Sequence, residues 1–181
     1  MGVTFSFGVG GGWSLLRDWS EIGADIADID IDLSGVSKTY LQVEVVARSM
    51  VNATETAFKL LVNGGGAGVY SGHCMSVTGT GTYGRRETAS GATSIQLPFV
   101  NAAQATAGYW SYYRFNLNIQ RTPKDRYYMT LEGTMQRDNS VSKALYGNWE
   151  VKLAEGLDNF QFFTNHVAYL HPESEYRVMQ L

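Results

Sequence analysis

Apolar and polar residues alternate with a period of two along most of this chain, the pattern of strands buried on one face. The 3.6-residue period of an amphipathic helix is sustained nowhere. The segment 39–50 is the strongest case: Leu41, Val43, Val45 and Ala47 fall on one side, Gln42, Glu44, Val46 and Arg48 on the other. In 25–33, Ile29, Ile31 and Leu33 alternate with Asp28, Asp30 and Asp32. Residues 13–19, 56–64, 70–78, 94–100, 111–120, 126–136, 146–151, 160–164 and 175–181 also read as short strands, aromatic or β-branched and bounded by Gly, Asn, Asp or Pro. The polar turn 52–55 joins 39–50 and 56–64 as a hairpin-like pair, and 121–125 joins the clearest hairpin, 111–120 with 126–136. The strand 175–181 runs to the last residue, which predicts a C-terminus stitched into a sheet.

The segments between these strands read as connections. Residues 63–68 form a glycine-rich link between sheets, and 79–92, rich in Gly, Thr and Ser, is the best candidate for a long exposed loop. Residues 101–108 are Ala-rich but too short for a helix, and 137–143 and 165–174 are polar loops. The first twelve residues are small and Gly-rich, with Phe5 and Phe7 in an alternating pattern, and read as an arm that orders on a partner. Ten to eleven strands, with no repeat of fixed period, argue for an all-β, jelly-roll-like two-sheet sandwich. The arm is then 1–12 and the single jelly-roll domain 13–181.

Composition sharpens this picture. Aromatics at 13% and 20 glycines suit many strands and tight turns. A net charge of -3 and no Lys/Arg block speak against nucleic-acid binding, and no apolar run approaches a membrane span. A single cysteine, Cys74, leaves no internal disulfide and no Cys-based zinc site, and its strand setting reads as a buried small hydrophobe.

Candidate chemistry is sparse. His73, His166 and His171 match no zinc spacing, and the Asp28–Asp30–Asp32 face lacks the glycine and distal glutamate of a calcium loop, so no metal or cofactor is expected. Asn63-Gly64-Gly65-Gly66-Ala67-Gly68 has no Lys-Ser/Thr after it and opens no helix, unlike a phosphate-binding loop. No nucleophile elbow occurs, so no catalytic residue is assigned and the chain reads as a non-enzyme. The cluster Tyr109-Trp110-Ser111-Tyr112-Tyr113 can fill a core through cross-strand pairs or stack on sugars. Tyr112 and Tyr113 must face opposite ways, so one leaves the core and can serve an interface between subunits.

Five stretches together resemble a jelly-roll family of virion structural proteins of tailed bacteriophages. They are Trp13-Ser14-Leu15-Leu16, YLQVEVVARS at 40–49, FKLLVNGG at 58–65 followed by Tyr70, LDNFQFFT at 157–164, and SEYRVMQL at 174–181. The closing Met179-Gln180-Leu181 departs from the aromatic and glycine that the family more often shows. The resemblance implies a non-enzymatic virion protein made in the host cytoplasm and commonly trimeric. A capsid decoration or cement role suits a lone domain with a short arm; the alternative is a tail, baseplate or fibre component that binds host glycan. The expected partners are further copies of the chain and major capsid or tail proteins, with Phe5, Phe7, Trp13, Tyr112 and Tyr113 at interfaces. On the glycan alternative Tyr83, Tyr109 and Trp110 make the sugar contacts.

Overall fold

The computed structural model describes residues 12–23, 28–34, 40–48, 58–63, 70–78, 83–92, 94–97, 110–118, 126–138, 141–153, 158–164 and 170–181. They form twelve strands: β1 (Ser14–Glu21), β2 (Asp28–Asp32), β3 (Tyr40–Ala47), β4 (Phe58–Val62), β5 (Tyr70–Thr78), β6 (Tyr83–Ala92), β7 (Ile95–Gln96), β8 (Ser111–Asn118), β9 (Arg126–Asp138), β10 (Val141–Lys152), β11 (Asn159–Thr164) and β12 (Glu175–Gln180). Eight of them make one sheet in the order β1-β12-β3-β8-β9-β10-β5-β6, and four make a second in the order β2-β11-β4-β7. Every pairing is antiparallel.

The alternation read from the sequence sets which side of each strand turns inward. Leu41, Val43, Val45 and Ala47 of β3 are buried, as are Ile29 and Ile31 of β2, Tyr113 and Phe115 of β8, and Phe160 and Phe162 of β11. Aromatic rings lock the two sheets together. Tyr113 and Phe162 have centroids 5.2 Å apart, Phe115 and Phe160 also 5.2 Å, and Tyr113 meets Phe58 edge-on at 5.5 Å. Such pairs add to the area they bury, and here each ties one sheet to the other. The Val62 amide donates to the Tyr70 hydroxyl at 2.6 Å, which fastens β5 to β4 of the opposite sheet. The buried residues form one continuous core, and Cys74 lies in it as expected.

Four sequence expectations change. β3 and β4 do not pair with each other, because they lie in opposite sheets. Residues 83–92, read as loop, are strand β6, an edge strand held by backbone pairing with β5. Polar composition did not stop it, since an edge strand needs one ladder of hydrogen bonds and not a buried face. The expected loop 137–143 is mostly strand: β9 and β10 stay paired out to Asp138 and Val141. Conversely, of the expected strand 94–100 the described residues 94–97 contribute Ile95–Gln96, followed by one bond from the Leu97 amide to the Phe58 carbonyl at 3.0 Å, and 98–100 lie outside the described residues.

Candidate functional site: the outer face of the large sheet

One face of the eight-stranded sheet covers the core, and the other faces away from the small sheet. Pairing register places the outward side chains of successive strands in rows. One row reads Arg177, Glu44, Arg114, Glu132, Tyr146, Met75 across β12, β3, β8, β9, β10 and β5. The next reads Gln42, Asn116, Thr130, Asn148, His73 from β3 to β5, and the one after it Tyr40, Asn118, Tyr128, Glu150, Ser71.

The first row is a chain of alternating charge. Glu44 has no exposed surface. It accepts hydrogen bonds from Arg177, from the Tyr112 hydroxyl, and from Arg114 Nε at 3.1 Å, and Arg114 also reaches Glu132 at 3.8 Å. The Arg177 guanidinium lies over the Trp19 ring of β1, 4.8 Å from its centroid. Burial alone pushes the Glu44 carboxyl up. The bonds from Arg177, Tyr112 and Arg114, with the Arg177 charge, outweigh it and hold the carboxyl below its ordinary 4.5. A carboxylate held ionised and shared among three donors ties β12, β3 and β8 together on this face.

The second row carries no formal charge with its histidine neutral. Gln42 Nε2 donates to Asn116 Oδ1 at 2.7 Å, and Asn116 Nδ2 to Thr130 Oγ1 at 3.4 Å. Beyond it, an open depression between β5, β9 and β10 is lined by Ser71, Tyr128, Thr130, Asn148 and Glu150. Tyr128 is 48% and Tyr146 53% exposed.

The residues singled out in the sequence are scattered. Trp13 stands exposed at the start of β1, beside exposed Leu15 and Leu16. Tyr112 points outward and is spent on Glu44. Tyr113 is a correction: it is wholly inside the sandwich, where it meets Phe58, Phe115 and Phe162, and has no surface for a neighbour. Burial pushes its hydroxyl well up. Trp110 is half-buried, with the Arg48 guanidinium 4.7 Å over its ring and His171 edge-on at 5.7 Å, next to a hollow lined by Glu21, Val46, Glu173 and Glu175. Phe5, Phe7 and Tyr109 lie outside the described residues, as does the side chain of Tyr83.

Potential metal ligands do not gather. Asp30 accepts from Asn159, Asp28 from Gln161 at 3.4 Å, and Asp32 from the Ser34 amide at 2.8 Å. Hydrogen bonds from Ser34 lower the Asp32 carboxyl. His73 on β5 and His171 before β12 are separated by five strand spacings, roughly 24 Å. His166 lies outside the described residues, among which no group of three His, Cys, Asp or Glu side chains is placed to hold a metal ion.

Sequence reasoning missed the burial of Glu44 and the Tyr128 depression. Alternation put both residues on outward faces, but nothing along the chain says which residues stand opposite. Comparison of the chain with protein-family models, with curated proteins and with solved structures finds no match.

Proposed function

We propose that this chain is a non-enzymatic structural protein of a tailed-phage virion, a jelly roll that assembles on the particle as a capsid decoration or cement subunit. The observation that carries the reading is strand order. With two hairpins set aside, β5–β6 and β9–β10, the remaining strands stand as β1-β12-β3-β8 facing β2-β11-β4-β7. That interleaving, with first and last strands side by side and β4 next to β7, supports the two nested Greek keys of a jelly roll. The hairpins are then insertions that widen one sheet. The strand order accords with the resemblance drawn from the five sequence stretches.

The contact surface on this reading is β1. The pairing of β1 with β12 slips between Leu15 and Arg17, and there Leu15 is 54% and Leu16 44% exposed, with Trp13 also 44% exposed. Large apolar residues standing clear at an edge strand suit burial by a neighbouring subunit. At about 25 cal/mol per Å² of apolar area, an interface repeated by symmetry becomes strong from modest patches. A homotrimer is the assembly proposed.

Light scattering on the purified chain, with immunogold labelling of virions from the source culture, tests this. The expected results are a trimer and labelled capsids, with the Leu15→Ser/Leu16→Ser variant monomeric, absent from particles and still folded by circular dichroism. A monomeric wild-type chain and particles without label would overturn the reading.

A further inference from the structure

We infer that the outer face of the widened sheet binds a neutral sugar residue of a glycan, in the depression lined by Ser71, Tyr128, Thr130, Asn148 and Glu150. Register explains its shape. Thr130 stands opposite Asn148, and Glu150 stands between Tyr128 on one side and Ser71 on the other. Short Ser71, Thr130 and Asn148 leave the hollow open beside the exposed Tyr128, and Met129 and Trp149 complete its lining. Tyr146, on the same face of β10 two residues before Asn148 and about 7 Å from it along the strand, is the most exposed tyrosine described and stands outside the hollow.

The chemistry matches a pyranose in its two halves. A sugar ring has an apolar C–H face, which a half-exposed tyrosine ring can cover. Its rim of hydroxyls both donates and accepts, and an amide, a carboxylate and two hydroxyl side chains supply both roles. Charge argues against an acidic sugar, because the charged side chain that lines the hollow, Glu150, is itself a carboxylate. The Arg177–Glu44–Arg114–Glu132 row satisfies its own ions, and the Gln42–Asn116–Thr130–Asn148 strip beside the hollow is uncharged. A protein partner would also meet Ser71, Thr130, Asn148 and Glu150 here, whereas the exposed aliphatic pair Leu15 and Leu16 stands on β1. The site is four strand spacings from β1, roughly 19 Å, so it is independent of the assembly surface and of the virion reading.

The test uses the full chain on an array of neutral oligosaccharides of glucose, galactose, mannose and N-acetylhexosamines, followed by titration calorimetry on the strongest binder. At least one is bound, and Tyr128→Ala and Asn148→Ala each weaken binding about tenfold, the loss of a ring stack or of hydrogen bonds to one sugar, with unchanged melting temperature. Leu15→Ser/Leu16→Ser, which probes assembly, leaves glycan affinity unaltered. Silence across the array overturns the inference, and so does undiminished affinity in both variants. If the two variants change the oligomeric state by light scattering, the face is a contact between copies and the sugar assignment is wrong.

Discussion

Glu44 is buried on a face that is otherwise open to solvent, and three side chains from the strands on either side account for it. Taking a carboxylate out of water costs several kcal/mol unless it is paired and fully hydrogen-bonded, and Arg177, Tyr112 and Arg114 supply that pairing. Glu44→Gln leaves two guanidinium groups facing a neutral amide. Both arginines keep some water, so we expect a loss of about 2–3 kcal/mol at neutral pH, near the low end for a broken buried pair. The pH dependence has a definite sign. Because the folded carboxyl titrates below its ordinary 4.5, its contribution is present above that value and is lost as pH falls through the depressed one. Urea unfolding at pH 7 and again near pH 3 checks this: the gap between wild type and Glu44→Gln should narrow on acidification, and an unchanged gap would sink the ion-row account. Only part of this was readable in the chain. Alternation put Glu44 on the polar side of its strand, but its partners Arg114 and Arg177 are 70 and 133 residues away, and no local pattern brings them into register.

Among the elements, the hairpin β9–β10 shows how one missing side chain seats another. The Trp149 indole lies over Gly147: a Cβ there would be 2.4 Å from the ring and 2.8 Å from the Cys74 Cβ of β5. Gly72 on β5 makes the same allowance, since a Cβ there would fall 2.2 Å from the Asn148 carbonyl oxygen. Trp149 is thereby buried against β5, which holds the widened part of the sheet on the core. Gly147→Ala should cost about 1–3 kcal/mol, the usual penalty for overfilling a packed core. Denaturant unfolding reads it, and a near-zero cost would mean that the indole is not seated as described. Strands such as β3 and β8, with clean alternation, were legible in advance to within a few residues. β6 was not, because its sequence has the Gly, Thr and Ser of a loop and its strand character comes from the backbone groups of β5. Gly147 was equally silent, since a glycine in a strand becomes meaningful only once its neighbour's side chain is known.

For the whole molecule, the first and last described strands stand side by side. β12 runs between β1 and β3, with Ser14 opposite Gln180 and Gln180 opposite Leu41, and it contributes Tyr176 and Val178 to the core. Deleting residues 175–181 removes the only partner β1 has among the described residues and opens the flank of β3. The expected outcome is loss of a cooperative thermal transition by circular dichroism. A truncated chain that still melted sharply near the wild-type temperature would show that the sheet closes without its last strand. β1 also marks where strand assignment stops helping: its alternation predicted a strand, but only the sheet shows Leu15 and Leu16 both exposed at an edge.

The all-β class, the inward set of apolar residues and the buried cysteine could be deduced before any coordinates, because side-chain direction in a strand alternates whatever the strand pairs with. Sheet membership, the charged row through Glu44, the hollow beside Tyr128 and the burial of Tyr113 could not. Each depends on which distant strand lies alongside and in what register, and hydrogen bonds between backbones are blind to sequence. That choice is settled only when both sheets close over a common core.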